Sequence, residues 1–460
     1  MTPILSVRDL CLDSPTGRPL FRDLSLSLGR ERVALVGRNG VGKSSLLELL
    51  ASGDAPERGH IDRGGRIAFV RQDLSGDGAS PGERRRKALE QARARCPELL
   101  LLDEPTRDLD RDGVEWLADW LRDWPEALLV VTHDRRLLRL FRDFVVVSES
   151  GCRAFEGSFD ELVAELAEVE ARASERYLRN LSQLLNKEQH IEADRRRRQR
   201  KKNVGRVREL GRCPARSRLN AKRGYKQVSQ AKRMHLQRDR IGKMRDWVKS
   251  TRRALSVKLP LELAMPTLPQ TGLPVILAKD LCARGLFANI DLSIARERIA
   301  VVGPNGAGKT TLLDMLTKER ASGGGQVTCH GDRVAYVAQN AENWRCRESV
   351  LDVLARSCSP EAAVQKLALH GFPLALAARP LASLSPGERV RAALICAFQR
   401  EPPIELLVLD EPTDDLDFVA VAALESILAA WPGGLVVVSH DPEFLDAIGI
   451  EHVIELGAKA

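Results

Sequence analysis

Short apolar runs alternate with segments of helical periodicity along both halves of the chain. In the first half, the runs are Val33–Val36, Leu99–Leu102 and Leu128–Val131. Runs of this length between turn signals are typical of strands buried on both faces of a parallel sheet. After the first run, leucines at 46, 47, 49 and 50 form the apolar face of a helix. The pattern predicts an α/β fold.

The residues before the first run have a different hydrophobic pattern. Apolar and polar side chains alternate through residues 1–34, with Ile4, Leu5 and Val7 followed later by Leu24 and Leu26. This alternation predicts antiparallel strands that lead into the parallel sheet.

A glycine-rich stretch joins the first apolar run to the first helix. It fits the pattern G-x-x-x-x-G-K-[ST], in which backbone N–H groups and the helix N-terminus surround phosphate oxygens. We expect Lys43 to reach the β- and γ-phosphates and the Ser44 hydroxyl to hold Mg²⁺. The other candidate contacts are Gly37, Asn39, Gly40, Gly42 and Ser45.

Polar side chains follow three of the predicted strands. Gln72 follows the strand at 67–70, Asp103 and Glu104 follow the four leucines, and His133 follows the third run. Open α/β sheets place ligands at the carboxyl ends of their strands. We expect Asp103 and Gln72 to hold Mg²⁺, Glu104 to orient or deprotonate the attacking water, and His133 to contact the γ-phosphate or that water.

The sequence Ser80-Pro81-Gly82 opens an arginine-rich helix. Serine at the N-cap and proline in the first turn are ordinary capping residues, and capping alone explains them. A serine hydroxyl at a helix N-terminus would also suit a γ-phosphate across an interface. Ser80 and Gly82 are therefore candidate nucleotide-binding residues.

Residues 275–460 repeat this order of motifs. The distance from Asp103 to His133 equals that from Asp410 to His440, at 30 residues each, which indicates an internal duplication. The corresponding candidates of the second copy are Gly303, Asn305, Gly306, Gly308, Lys309, Thr310 and Thr311 of the loop, Gln339, Ser385, Gly387, Asp410, Glu411 and His440. Thr310, Gln339 and Asp410 are its metal candidates, and Glu411 and His440 its catalytic candidates.

One spacing differs between the copies. Gln72 and Ser80 are 8 residues apart, whereas Gln339 and Ser385 are 46 apart. The first copy is therefore expected to lack about 38 residues of helical sequence and to be smaller on that side.

Most of the positive charge lies between the copies. The chain has a net charge of +8, but residues 172–253 contain 28 Lys+Arg against 7 Asp+Glu. Leucines at helical spacing, followed by Gly205, Gly211 and Pro214, predict a basic helical hairpin as the linker. We predict a first lobe at 1–160, this linker at 161–274 and a second lobe at 275–460. The candidate nucleic-acid contacts are Arg195, Arg196, Arg197, Arg198, Arg200, Lys201, Lys202, Arg206 and Arg208.

The charge suggests a polyanionic partner, either nucleic acid or an anionic membrane surface. No apolar run approaches the ~18 residues of a membrane span, so we expect none, and no signal peptide. The nine cysteines are scattered without a C-x-x-C pair, which favours reduced thiols in a cytoplasmic protein.

With these motifs in this order in both lobes, the chain resembles the ATP-binding cassette superfamily. Within it, the chain is most similar to the ABC-F group, which has two cassettes, no membrane domain and a basic helical linker. The resemblance implies an ATPase with its two lobes arranged head to tail. Two ATP molecules, with Mg²⁺, would lie between the lobes. Lys43 and Glu104 would face Ser385 and Gly387, and Lys309 and Glu411 would face Ser80 and Gly82.

The resemblance also implies action on the ribosome, through rRNA and tRNA, in translation or in protection against antibiotics. No obligate protein partner is evident. A DNA-associated ATPase and the ATPase subunit of a membrane transporter remain alternatives. Three departures from the family pattern stand out. Pro81 and Pro386 each replace a glycine, no aromatic residue appears where the family stacks adenine before the phosphate loop, and the short segment after Gln72 lacks room for a ribosome-binding arm.

Overall fold

The computed structural model describes much of both lobes and little of the region between them. The described residues are 3–13, 19–56, 58–73, 81–107, 109–148, 151–169, 171–172, 175–176, 179–180, 182–183, 265–268, 272–321, 323–344, 347–356, 358–369, 372, 374–414 and 416–457. The chain divides into two compact units, one formed by Met1–Leu162 with Pro260–Ala460 and the other by Val163–Leu259.

The first lobe consists of two sheets with helices around the larger one. Its strands are β1 (Leu5–Asp13), β2 (Pro19–Leu28), β3 (Arg32–Gly37), β4 (Arg58–Arg63), β5 (Ile67–Val70), β6 (Leu99–Asp103), β7 (Ala127–Val131), β8 (Asp143–Ser148) and β9 (Gly151–Glu156). Its helices are α1 (Lys43–Ser52), α2 (Pro81–Ala94), α3 (Arg111–Arg122) and α4 (Arg135–Leu138).

The alternating segment forms the smaller sheet, as its pattern predicts. Strands β2, β1 and β4 pair antiparallel in that order. The apolar runs form the larger sheet, in the order β5-β6-β7-β3-β8-β9, where only β9 is antiparallel to its neighbour. Every residue of β6 and β7 is buried, because helices or the small sheet cover both faces.

The second lobe repeats this plan and adds helices. Its strands are β10 (Ile276–Ala283), β11 (Phe287–Ile294), β12 (Arg298–Val302), β13 (Gly324–Cys329), β14 (Val334–Val337), β15 (Leu406–Asp410), β16 (Gly434–Val438) and β17 (His452–Glu455). Its α-helices are α5 (Lys309–Leu316), α6 (Val350–Ala355), α7 (Pro360–Leu369), α8 (Leu374–Ala377), α9 (Pro386–Phe398), α10 (Phe418–Ala430) and α11 (Pro442–Ala447). Short 3₁₀ turns lie at Gly331–Arg333, Gln339–Trp344 and Leu381–Ser383.

The two sheets of the second lobe have the strand order of those in the first, except that the described residues of the larger sheet include no counterpart of β9. The antiparallel sheet has the order β11-β10-β13, and the parallel sheet has the order β14-β15-β16-β12-β17. The predicted α/β fold with two similar lobes is therefore confirmed.

The expected difference in size lies between the fifth strand and the arginine-rich helix. Helices α6, α7 and α8 occupy this place in the second lobe, whereas residues 71–80 alone connect β5 to α2 in the first. The added helices share one apolar core with α9, α10 and the sheet. Within that core, the rings of Phe398 and Trp431 stack with centroids 4.8 Å apart.

In the second unit, the described residues at 163–169, 171–172, 175–176, 179–180 and 182–183 are helical. Arg179 pairs with Glu175 over 2.7 Å, one helical turn away. The predicted hairpin tip and its candidate basic contacts, from Arg195 to Arg208, lie outside the described residues. Across the part of the chain that is described, no helix has the length and apolar character to cross a bilayer.

Candidate nucleotide site

The first glycine-rich loop connects the end of β3 to the start of α1. Gly40 and Gly42 adopt left-handed backbone angles, with φ of 77° and 104°. A Cβ on Gly37 would lie 2.5 Å from the carbonyl oxygen of Val147, so strand β8 leaves no room for a side chain there. The loop conformation therefore requires glycine at these places, as the motif predicts.

The second loop has the same geometry between β12 and α5. Gly303, Gly306 and Gly308 have φ of 150°, 82° and 95°. A Cβ on Gly303 would lie 2.4 Å from the carbonyl oxygen of Leu456. The repeated sequence therefore produces a repeated cradle of backbone N–H groups.

The lysine of each loop is buried and folds back over its own loop. Lys43 Nζ donates to the carbonyl oxygens of Gly37 at 2.7 Å and Arg38 at 3.1 Å. Lys309 Nζ donates to those of Gly303 at 2.9 Å and Pro304 at 3.2 Å.

Burial lowers the pKa of both lysines, and nearby carboxylates oppose that shift. For Lys43, the opposing groups are Glu104, Asp417 and Asp103, in that order. Each loop therefore holds a positive charge that would gain a partner when phosphate enters.

Asp103 and Asp410 end strands β6 and β15 in buried positions. Burial raises the pKa of Asp103, which the Ser44 hydroxyl opposes, and raises the pKa of Asp410 to about 6, which the Thr310 hydroxyl opposes. Oδ1 of Asp103 and both carboxylate oxygens of Asp410 still lack a normal hydrogen bond to any described residue.

A buried carboxylate oxygen that lacks a donor fits a cation. Among the described residues, no cluster of three or more His, Cys, Asp or Glu side chains could hold a metal alone. One carboxylate and one hydroxyl in each lobe suit Mg²⁺, which keeps waters and completes its shell with phosphate oxygens. The residues present therefore fit the ion that the sequence predicts.

Glu104 and Glu411 follow these aspartates, and both have φ of 43°. Left-handed backbone is costly for a residue with a Cβ, and its occurrence in both lobes marks a functional position. It brings Oε1 of Glu104 to 3.3 Å from Nε2 of His133, and Oε1 of Glu411 to 3.1 Å from Nε2 of His440. The predicted catalytic pairs therefore lie together in each lobe.

His133 has an additional neighbour in the first lobe. Its Nε2 lies 3.2 Å from Nζ of Lys43. Burial, and then the Lys43 charge, lower the pKa of His133 to about 3, while Asp417 opposes the shift. His133 is therefore neutral at pH 7 and carries one ring proton, on Nδ1 or Nε2.

The two glutamines are held by different contacts. Gln339 Nε2 donates to Oδ2 of Asp414 at 2.9 Å. In the first lobe, the buried guanidinium of Arg85 donates to the backbone carbonyl of Gln72 at 2.6 Å and to that of Arg71 at 2.7 Å. The arginine-rich helix thereby fixes the segment that carries Gln72.

A cavity of about 1200 Å³ contains most of these groups. Both lobes line it. The predicted site residues among its walls are Asn39, Gly40, Gly42, Lys43, Ser44, Ser45, Gln72, Gly82, Glu104, His133, Asn305, Gly306, Gln339, Glu411 and His440.

The cavity brings together part of one of the two expected cross-lobe sets, because it holds Gly82 and Glu411, whereas Lys309 does not line it. Gly82 of the first lobe shares it with Asn305, Gly306 and Glu411 of the second. Ser385 and Gly387 are both described, and neither lines this cavity. Ser385 instead caps α9 in a capping box with Glu388, the ordinary role of its residue type. Ser80 lies outside the described residues.

In each lobe, the charge of one helix-capping aspartate acts on the loop lysine of the other lobe. Asp110 and Asp417 cap α3 and α10, and each accepts from a backbone N–H in the first turn. The Asp417 charge opposes the lowering of the Lys43 pKa that burial causes in the opposite lobe, and the Asp110 charge does the same for Lys309. Each loop lysine therefore senses a carboxylate from its partner lobe.

Several arginines of the cavity wall were not among the predicted site residues. These are Arg86, Arg107, Arg135 and Arg136. The sequence differs between the copies at the last of these, because Arg136 follows His133-Asp134 where the second copy has Glu443 after His440-Asp441. In the structure, Arg136 pairs with Asp134 of its own lobe at 2.8 Å, and Glu443 pairs with Arg139 of the other lobe.

Comparison with known proteins agrees with this geometry. The family model described as ABC transporter matches residues 21–75 and 287–414, once in each lobe. The ATP-binding protein Uup of Caulobacter vibrioides is 31% identical over 97% of this chain and 76% of its own length. This chain belongs to the ABC-F family of ATP-binding cassette proteins.

Other relatives extend the similarity to eukaryotes. A probable ATP-binding cassette sub-family F member 3 homolog of Encephalitozoon cuniculi is 28% identical over 94% of this chain and 77% of its own. The human ATP-binding cassette sub-family F member 3 is 27% identical, over 92% and 67%. ATP binding and hydrolysis are general properties of this family, and Mg²⁺ is its typical metal.

Proposed function

We propose that this ABC-F protein binds MgATP at both glycine-rich loops, hydrolyses it, and acts on the ribosome through the basic segment at 161–274. The lobes that move would be residues 1–160 and 275–460. One observation carries the ATPase part of the proposal: the two loops line a single cavity together with Glu104, Glu411 and both histidines.

The cavity residues have separable tasks. Lys43 and Lys309 would bind the phosphates together with the loop N–H groups. Ser44 with Asp103, and Thr310 with Asp410, would hold Mg²⁺, aided by Gln72 and Gln339. When bound, the ion would shield phosphate charge and orient the leaving oxygen.

Glu104 and Glu411 would accept a proton from the attacking water. A left-handed backbone positions each glutamate, and a histidine Nε2 lies beside each carboxylate, at 3.3 Å in the first lobe and 3.1 Å in the second. Because His133 is neutral at pH 7, it can fix the Glu104 carboxylate or the water without taking its proton. Hydrolysis would then remove the phosphate that holds the lobes together and allow them to separate.

The choice of the ribosome is supported by charge. Residues 172–253 carry an excess of +21, from 28 basic and 7 acidic side chains. Arginine at this density, with few aromatic residues between, suits phosphate backbones more than stacked single-stranded bases. The candidate contacts are the basic residues from Arg195 to Lys202, with Arg206 and Arg208.

The test uses a chain that binds ATP without turnover, carrying Glu104→Gln and Glu411→Gln. We expect this double variant with MgATP to sediment with ribosomes in a sucrose gradient and to remain in the upper fractions without nucleotide. A matched chain in which Arg195, Arg196, Arg197 and Arg198 are also replaced by Gln should bind MgATP equally and stay in the upper fractions.

Three outcomes would overturn parts of the proposal. Turnover of ATP by the double variant at the parent rate would remove the glutamate assignment. Co-sedimentation with DNA or membranes in place of ribosomes would replace the partner. Equal ribosome binding by the chain with four glutamines would remove the basic segment from the contact.

A further inference from the structure

Arg86 faces the nucleotide cavity from the first lobe. It lies on α2, is exposed, and lines the cavity together with residues of both glycine-rich loops, Lys43 of the first loop and Asn305 and Gly306 of the second among them. Its guanidinium carbon lies 5.0 Å from the ring centroid of Trp116 on α3. A planar cation over an indole ring is held by cation–π attraction, so Trp116 restricts where the guanidinium points.

The equivalent residue of the second lobe has a different environment. Arg391 follows Ser385 by six residues, as Arg86 follows Ser80. Arg391 is 8% exposed, packs over the ring of Phe372 at 5.6 Å, and does not line the cavity. Burial lowers its pKa to about 10.

The additional helices explain this difference. Phe372 lies between α7 and α8, in the insertion that the first lobe lacks. The insertion covers Arg391, whereas Arg86, in the lobe without the insertion, lines the cavity. Of this duplicated pair, the arginine in the lobe that is shorter by about 38 residues is therefore the one that reaches solvent and the cavity.

We propose that Arg86 binds the phosphates of the nucleotide held on the second glycine-rich loop, acting across the interface between the lobes. The inference rests on the proposed function, because it assumes that nucleotide occupies that loop. A guanidinium presents a fork of donors that matches phosphate oxygens, and such charge-assisted bonds are among the strongest in proteins. Trp116 reduces the entropy lost when the fork is fixed.

The consequence is an inequality between the two nucleotide sites. The site on the second loop would receive Lys309 from its own lobe and Arg86 from the other. The site on the first loop has Lys43, but Arg391 is buried away from the cavity. We therefore expect the second loop to bind MgATP more tightly than the first.

The test measures MgATP binding by calorimetry in the full chain that carries Glu104→Gln and Glu411→Gln. In this background, Arg86→Gln should weaken one of two binding events by about tenfold or more and leave the other within about twofold. Arg93→Gln is the matched control, since Arg93 lies on the same helix over Trp120 at 6.0 Å but does not line the cavity. It should leave both events within about twofold.

Lysine variants identify the affected site. Arg86→Gln should retain its effect when Lys43→Ala is added and should lose it when Lys309→Ala is added. Two results would overturn this inference and leave the proposed function standing. One is that Arg86→Gln and Arg93→Gln have the same MgATP affinities, and the other is that Lys43→Ala and Lys309→Ala change the effect of Arg86→Gln equally. A background chain that binds no MgATP would overturn the proposed function instead.

Discussion

Arg135 and Glu425 form an ion pair that joins the two lobes, with Nη1 of the arginine 2.8 Å from Oε1 of the glutamate. The side chains are 17% and 15% exposed, so water screens the pair only partly. Arg139 pairs with Glu443 beside it, and the rings of Phe159 and Phe418 meet edge to face at 6.1 Å. These contacts link the lobes without using a nucleotide.

We expect Glu425→Gln to lower the urea midpoint of unfolding by the equivalent of about 1–2 kcal/mol, because it leaves the half-buried Arg135 without its charge partner. Adding Arg135→Gln should restore much of that loss, since the neutral pair leaves no charge uncompensated. The non-additivity of the two substitutions measures the coupling between the side chains.

The control pair is Arg111 and Glu115, which lies within the first lobe and is 67% and 60% exposed. Glu115→Gln should change stability by less than about 0.5 kcal/mol, as exposed pairs usually do. Equal shifts for Glu115→Gln and Glu425→Gln would show that the contact between lobes adds nothing to stability.

His133 should give the protein a specific sensitivity to acid. Its pKa in the folded chain is about 3, against an ordinary value of 6.5. The unfolded chain takes up a proton below pH 6.5 and the folded chain does not, so this stability is present above pH 6.5 and is lost as the pH falls toward 3. We expect His133→Gln to lose less stability than the parent between pH 6.5 and 5, by up to about 1.4 kcal/mol per pH unit.

Urea midpoints at pH 7, 6 and 5 test this expectation. His60→Gln serves as the comparison, because His60 is exposed on β4, and its midpoints should follow those of the parent. Parallel curves for the parent and His133→Gln would contradict the assignment of a buried, neutral imidazole.

Local sequence was sufficient to predict the elements that place the chemistry. Four consecutive leucines specify β6 because a strand covered on both faces excludes polar side chains, and Asp103 then stands at its carboxyl end. The glycine spacing specifies the loop, because only glycine fits beside Val147 and Leu456. These features depend on neighbours close in the chain or on one repeated strand.

The cross-lobe contacts could not be predicted in the same way. Arg86 and Arg391 have equivalent positions in the repeat, and only the packing of Phe372 separates their environments. The partner of Arg135 lies 290 residues away, and no periodicity encodes it. Such features depend on how two folded surfaces meet. The sequence alone showed only that Arg136 of the first copy and Glu443 of the second have opposite charges at equivalent positions.

Gly303 and Gly306 of the second loop should respond differently to alanine. A Cβ on Gly303 would lie 2.4 Å from the carbonyl oxygen of Leu456, whose N–H donates to Val302 at 2.9 Å. Gly303→Ala must therefore push the loop away from the end of β17. We expect it to cost more than about 2 kcal/mol and to remove the stabilisation by MgATP.

Gly306→Ala is the matched substitution, since no atom lies within 4 Å of its added Cβ and only the left-handed φ of 82° is unfavourable. It should cost about 1–2 kcal/mol and retain a response to MgATP. Similar losses in both variants would mean that backbone conformation, and not the contact with Leu456, explains the requirement for glycine.

We expect the Asp410 carboxylate to lower the stability of the ligand-free protein and to contribute to metal binding. Neither of its buried carboxylate oxygens makes a normal hydrogen bond to a described residue. The poorly solvated carboxylate therefore destabilises the folded protein when no nucleotide or metal is bound. Asp410→Asn removes the charge at nearly constant size. We expect the substitution to raise the thermal midpoint without nucleotide and to reduce the further rise on adding MgATP, because ligand stabilisation follows affinity.

The comparison is Asp446→Asn, an exposed position on α11 of the same lobe. It should shift the midpoint little and leave the MgATP response of the parent intact. An Asp410→Asn chain that is less stable than the parent without nucleotide, or equally stabilised by MgATP, would show that this carboxylate supports the fold and leaves the ion to other ligands.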